Sequence, residues 1–223
     1  MVGVTCREDH DANRLSAESL AAGDPVGWFE RLYAEAERGD ALVPWADLAP
    51  NPHVVEWLER AAPTPGRALD VGCGLGDTAE ELARRGHDVL AIDVSPTAVA
   101  AARARFPQSR VDYRALDLRA LPSALAGAFD LVVECYTLQV LPAAARGAIV
   151  ATLRRAVAPG GMLLVVARGR EADEPEGEMP WPLTRTEIEA IADAGFVRES
   201  FEDFLDDEKP PVRRFRATFR RQT

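Results

Sequence analysis

The stretch Asp70-Val71-Gly72-Cys73-Gly74-Leu75-Gly76 constrains the fold of this chain more than any other. Glycine at every second position lets the backbone turn through left-handed conformations, and lets a ligand approach atoms that a Cβ would shield. The run from Arg67 to Val71 before it has the length and apolar character of a short buried strand. Behind it, residues 77–85 have helical spacing, with Asp77 and Glu80 set as a capping box and Gly86 at the C-terminal end. A strand that hands over to a helix through so tight a turn belongs to a parallel sheet covered by helices.

The same alternation continues along the chain. Residues 88–92 read as a second strand, and Ser95-Pro96 caps and opens a helix that runs to about Phe106. Strands follow at 111–116 and 129–134, then a helix at 143–156 and a strand at 161–167. Thr184 with Glu187 forms a second capping box, whose helix stops at Gly195. Residues 196–204 and 212–219 alternate as strands, and the loop between them is too short for a crossover helix, so they pair antiparallel. The expected fold is α/β: a doubly wound, mostly parallel seven-stranded sheet ending in an antiparallel β-hairpin.

Residues 1–14 are polar and read as a flexible start. From 15 to 65 the pattern is helical but interrupted. Trp28, Phe29, Leu32 and Tyr33 form one apolar helix face, Pro44 forces an extended connector ending in Trp45, and Pro52 opens another helix. Residues 66–223 then form the main domain, with a polar, acidic loop at 168–182.

Composition excludes several partners. Hydrophobic residues make up 47% and charged residues 28%, enough for a full core. Lys plus Arg number 26 against 36 Asp plus Glu, a net charge of −10, so a basic footprint for nucleic acid is not expected. Cys6, Cys73 and Cys135 form no CxxC pair, and His10, His53 and His87 have no zinc-ligand spacing, so no metal is expected. No secretory or membrane-spanning apolar run stands out, which points to a cytoplasmic protein, monomer or homodimer, without membrane contact. Arg213, Arg214, Arg216, Arg220 and Arg221 follow the acids of 199–208, and read as cross-strand charge pairs rather than a nucleic-acid strip.

The glycine turn carries the chemistry. Asp93 ends the next strand, close to the ~20-residue spacing at which a carboxylate reaches ribose hydroxyls. The third glycine of the dinucleotide fingerprint falls on Asp77, and an acid at a helix N-terminus repels a pyrophosphate. Asp70 stands just before the first glycine. A nucleoside held among these carboxylates should carry a cation, which S-adenosylmethionine does in its ammonium and sulfonium groups.

Asp70-x-Gly72-x-Gly74-x-Gly76 resembles the first motif of class I S-adenosylmethionine-dependent methyltransferases. The resemblance extends in register over about 66–168. It implies that Cys73 lies in the cofactor turn and that Asp93, with Val94 beside it, holds the ribose. Asp117-Leu118 would flank the adenine, with Asp117 accepting from its amine, and 129–134 match the fourth-strand motif. Trp28 to Tyr33 with Pro44-Trp45 is similar to the N-terminal lid of the thiopurine-methyltransferase-like branch, in which Trp28, Tyr33 and Trp45 would close over the methionyl end. The 168–182 loop resembles that branch's substrate loop. Where some relatives carry a basic residue after the fourth strand, this chain has Cys135-Tyr136.

The implied reaction is in-line methyl transfer to a small-molecule sulfur, oxygen, nitrogen or halide nucleophile. The alternatives are a noncatalytic cofactor-binding module or a methyltransferase acting on a macromolecule. Glu134 is placed to contact cofactor or acceptor, to take a proton, or to cap a helix. Tyr136 either lines the acceptor pocket or packs. If the acidic loop covers the acceptor, it favours neutral or cationic substrates.

Overall fold

The structure is a computed structural model that describes residues 7–193 and 195–223. Helix α1 (Arg7–Ala21) already occupies part of the segment expected to be flexible. The polar sequence hid its anchor: Ala12 and Leu15 are buried in a cluster with Trp28, Leu32 and Ala41. Residues 1–6, the rest of that expected flexible start, lie outside the described residues. Helix α2 (Gly27–Glu37) starts after Asp24, whose carboxylate accepts from the backbone N–H of Val26 and Gly27 at 3.1 and 3.0 Å. Helix α3 (Pro52–Ala61) is capped by Asn51, which accepts from His53 and Val54 N–H.

The main domain then alternates as expected: β1 (Arg67–Val71), α4 (Asp77–Arg84), β2 (Asp88–Asp93), α5 (Pro96–Arg105), β3 (Asp112–Ala115), β4 (Phe129–Cys135) and α6 (Ala143–Ala156). It continues with β5 (Val157–Arg170), the two-residue β6 (Leu183–Thr184), α7 (Arg185–Glu189), β7 (Phe196–Leu205) and β8 (Arg213–Arg221). The sheet order is β3-β2-β1-β4-β5-β8-β7, with β6 added beside the end of β5. Neighbours from β3 through β5 are parallel, and β8 runs antiparallel to both β5 and β7. The predicted hairpin is therefore present, inserted so that its second strand touches the parallel sheet.

Both faces of the sheet are covered, which is why its strands read as unbroken apolar runs. Leu69, Ile92, Val132, Leu163 and Phe219 belong to one buried cluster with Ile149 and Leu153 of α6. Ala68, Ala91, Val133 and Leu164 belong to the other, with Val54 and Leu58 of α3 and Leu82 of α4. The strand order reverses between β1 and β4, which opens a crevice at their carboxyl ends. The α1–α2 cluster also takes in Val140 and Met179, so the N-terminal helices are packed onto that same end.

The hairpin charges pair across strands. Arg216 opposes Glu202 in register at 2.7 Å, Arg213 meets Asp203 at 2.6 Å, and Arg220 meets Glu199. One expected capping box forms, between Thr184 and Glu187, although its helix ends at Glu189 rather than near Gly195. The other does not: Gly76 is the N-cap of α4, without a side-chain cap bond. Asp77 instead makes a two-pronged pair with Arg105 at 2.6 and 2.8 Å, and Glu80 accepts from the Tyr113 hydroxyl at 2.7 Å. Long-range partners outcompete the local cap. Among the described residues no helix is long and apolar enough to cross a membrane.

Candidate active site

The glycine turn leaves β1 in left-handed backbone. Gly72 has φ 65° and Gly74 has φ 51°. A Cβ on Gly72 would sit 2.4 Å from the Thr137 Oγ1, and one on Gly74 would sit 2.8 Å from the Tyr33 hydroxyl oxygen. Conformation and space both select glycine here. The turn is fastened to β2 by Asp93, whose carboxylate accepts from Gly74 N–H at 3.0 Å and from Ser95 N–H at 2.9 Å.

Two acids lie buried beside this turn without a cation. Asp70 is 3% exposed, and its Oδ2 has no hydrogen-bond partner among the described residues. Burial, reinforced by the nearby Asp93 charge, pushes the Asp70 carboxyl up to about 7. Burial also raises Asp93, against the backbone hydrogen bonds it accepts. Such a pair fits a ligand that brings a positive charge, because the charge relieves what burial disfavours. Asp77, by contrast, is already neutralised by Arg105, so the cationic complement comes from Asp70 and Asp93 and not from the helix start.

These residues open into a cavity of about 670 Å³. Asp70, Gly72, Cys73 and Gly74 line it from the turn, Asp93 and Val94 from the end of β2, and Asp117 and Leu118 from beyond β3. Tyr33 lines it from α2, Trp45 from the connector between α2 and α3, and Tyr136 from just beyond β4. The Trp45 indole N–H donates to the Tyr33 hydroxyl at 2.9 Å, which locks the two rings together. Asp117 holds the Arg119 guanidinium at 2.7 Å and its backbone N–H at 2.8 Å. Tyr136 adopts φ 66°, a strained conformation for a side chain of its size, and turns its ring under Arg214 at 4.9 Å.

Three expected residues stand apart from the wall. Trp28 is 1% exposed and stacked at 3.9 Å on Phe29, which lines the cavity in its place. Gly76 lies behind the turn, under the Tyr113 hydroxyl. Glu134 is fully buried, and its Oε1 accepts from Thr137 and Leu138 N–H at 2.7 and 2.8 Å. It therefore caps the short 3₁₀ turn 138–140, and burial pushes its carboxyl up to about 7. Its Oε2 is buried and has no hydrogen-bond partner among the described residues. The acidic loop also differs from expectation: of residues 171–180, only Met179 and Pro180 line the cavity. Glu171 pairs with Arg213 at 2.6 Å and Glu176 with Arg146 at 3.0 Å, so the acids turn away.

Asn51, Gln139, Arg168 and Arg214 line the cavity as well, and sequence reasoning passed over all four. Arg214 sits on a strand whose alternation pointed only to sheet pairing, and Arg168, expected at the start of the acidic loop, lies on β5, which runs on to Arg170. Their shared register across β5 and β8 was the missing information.

Residues 68–161 match a family described as a methyltransferase domain. Over that stretch the chain is similar to methyltransferase domains. It is 28% identical over 167 residues to the 2-heptyl-1-hydroxyquinolin-4(1H)-one methyltransferase of Mycobacteroides abscessus, spanning 73% of each chain. It is 38% identical over 116 residues to the ubiquinone biosynthesis O-methyltransferase of Acinetobacter baumannii, spanning 50% of this chain and 48% of that relative. The Burkholderia thailandensis 1,6-didemethyltoxoflavin-N1-methyltransferase, solved with 1,6-didemethyltoxoflavin and S-adenosylhomocysteine, shares the fold of the methyltransferase domain and its flanks. That match has a TM-score of 0.70 and 18% identity, over 100% of this chain and 93% of that one.

Proposed function

We propose that this chain transfers the methyl group of S-adenosylmethionine to a small ring-bearing molecule held in the cavity. The carrying observation is the pair of buried acids, Asp70 and Asp93, at a glycine turn that opens into the lid-covered cavity. Asp93 would hold the ribose, Asp117 and Leu118 the adenine, and Asp70 would offset the ammonium charge. Tyr33 and Trp45 would close over the methionyl end, which is also the argument for kinship with the thiopurine-methyltransferase-like branch. The cofactor supplies a methyl group already activated by its sulfonium. The protein has to hold the acceptor atom about 3–3.5 Å from that carbon and in line with the sulfur.

Neither Cys135 nor Tyr136 is poised as a base. Burial pushes the Cys135 thiol and the Tyr136 hydroxyl up, so both stay neutral, and Glu134 is engaged by backbone N–H groups. This favours acceptors that ionise unaided or attack through a nitrogen lone pair. The names of the relatives, a hydroxyquinolinone methyltransferase, an O-methyltransferase of ubiquinone biosynthesis and a didemethyltoxoflavin N1-methyltransferase, support the same class. The enclosed cavity and the net charge of −10 favour a small molecule over nucleic acid.

Calorimetry with S-adenosylhomocysteine and with NAD, followed by turnover of labelled cofactor on phenols, thiols, amines and halides, tests this reading. The expected result is binding of S-adenosylhomocysteine, indifference to NAD, and methylation of a ring oxygen or nitrogen. Binding without turnover on any acceptor would favour a noncatalytic module. Binding of NAD alone would refute the proposal.

A further inference from the structure

Three arginines line the cavity: Arg119, Arg168 and Arg214. Arg119 is paired with Asp117, and Arg214 with Asp206 and Glu208. Arg168 has no ion-pair partner among the described residues, and its buried Nε has no hydrogen-bond acceptor. It lies directly opposite Arg214 across the antiparallel β5–β8 pair, so the two side chains leave the same face of the sheet. Like charges placed directly opposite one another weaken strand pairing, and here one of the two keeps its charge uncompensated. The backbone beneath it is fixed, since Arg168 N–H donates to the Gln139 Oε1 at 2.6 Å.

Position separates Arg168 from the glycine turn. β4 lies between β1 and β5, so two strand spacings, about 10 Å, divide Arg168 from the nucleoside end. Tyr136 supplies a flat ring wall on the Arg168 side, and Met179 and Pro180 close it with apolar surface. The acids of the 171–178 loop, which would favour neutral or cationic acceptors if they covered the site, do not line the cavity, and Glu171, Glu174 and Glu176 have other partners.

Resting on the methyl-transfer reading above, we propose that Arg168 recognises an ionised oxygen, a phenolate or enolate, on a flat ring acceptor. The guanidinium stabilises the oxyanion and so lowers the pH at which the hydroxyl ionises. Attack by that oxygen needs no protein base. The O–C bond forms as the S–C bond breaks, the anionic oxygen becomes a neutral ether, and the sulfonium becomes a neutral thioether. The basic residue absent after β4 is thereby replaced from the neighbouring strand.

Absorbance titration of the protein saturated with S-adenosylhomocysteine tests this. The probes are 4-nitrophenol and 4-hydroxyquinoline, with nitrobenzene and quinoline as neutral matches. The expected result is tighter binding of the hydroxylated probes, with the phenolate band of 4-nitrophenol growing on binding at a pH where the free probe is mostly protonated. Arg168→Gln should weaken those probes by about tenfold or more and abolish the band, while binding of the neutral matches and of S-adenosylhomocysteine stays unchanged. Arg168→Lys should recover part of the effect. Equal binding of hydroxylated and neutral probes, including none by either, overturns the proposal, as does an Arg168→Gln protein that still ionises 4-nitrophenol. Loss of S-adenosylhomocysteine binding in Arg168→Gln assigns the arginine to the cofactor and overturns it too. A wild-type protein that ionises 4-nitrophenol through Arg168 yet binds no S-adenosylhomocysteine removes the methyl-transfer reading and leaves the oxyanion site standing.

Discussion

Asp70 and Glu134 look alike as buried carboxyls, yet their partners divide their roles. Both are pushed up to about 7 by burial, but Asp70 lines the cavity at the turn, whereas Glu134 stands apart from it and accepts from two backbone N–H groups. A carboxyl raised in the folded state binds protons that the unfolded chain has already released. The stability of the cofactor-free protein should therefore fall as pH rises from about 4 to about 7 and level off above, which melting curves across that range will show. With Asp70 offsetting the ammonium charge as proposed, binding requires its ionised form, and affinity for S-adenosylhomocysteine should weaken below about pH 7, by up to about tenfold per pH unit. Glu134→Gln keeps an oxygen for the two N–H groups and removes a buried charge. It should melt no lower than wild type above pH 7 and keep its turnover; collapse of turnover in a folded Glu134→Gln protein would restore Glu134 as a base. Asp93→Ala should reduce cofactor affinity and also loosen the turn, because Gly74 N–H loses its acceptor; unchanged affinity by calorimetry would remove it from the site.

At the scale of elements, the N-terminal helices proposed as a lid pack through a few large contacts. Leu15 and Leu32 are fully buried in the cluster that also holds Val140 and Met179. Leu15→Ala should cost about 2–5 kcal/mol in that cluster and weaken cofactor binding along with it, since Tyr33 and Trp45 hang from the same packing. Faster proteolysis within 7–50 and a raised Kd are the expected readouts; a lower melting temperature with an unchanged Kd would make the helices support only. The hairpin offers a contrast. Arg216, 2% exposed, binds Glu202, Glu56 and the His53 carbonyl, so Arg216→Ala should cost several kcal/mol. Arg213 is 29% exposed, and its loss should cost about 1 kcal/mol or less, as chemical denaturation can compare.

Across the molecule, what could be read in advance was whatever local chemistry determines. The strand–turn–helix rhythm, the hairpin, the Thr184–Glu187 cap and the acids beside the turn all follow from residues close in sequence. What escaped depends on distant partners. The first residues of α1 looked loose because few of its described apolar side chains, Ala12 and Leu15, are buried in a core built by later segments. Asp77 looked like a cap until Arg105 took it, although it still lines the cavity. Trp28 and Phe29 share one helix face by spacing, and only the packing of α1 decides which ring is buried and which lines the cavity. Arg168 was invisible as a site residue because its register against Arg214 is set by a strand 46 positions away.

Isothermal titration of the wild-type protein with S-adenosylmethionine, in buffers of differing ionisation heat on either side of pH 7, tests the central claim most directly. The account predicts saturable binding, with proton release below pH 7 as Asp70 ionises to meet the cation, and no release in Asp70→Asn. No binding, or equal binding of NAD, would contradict it.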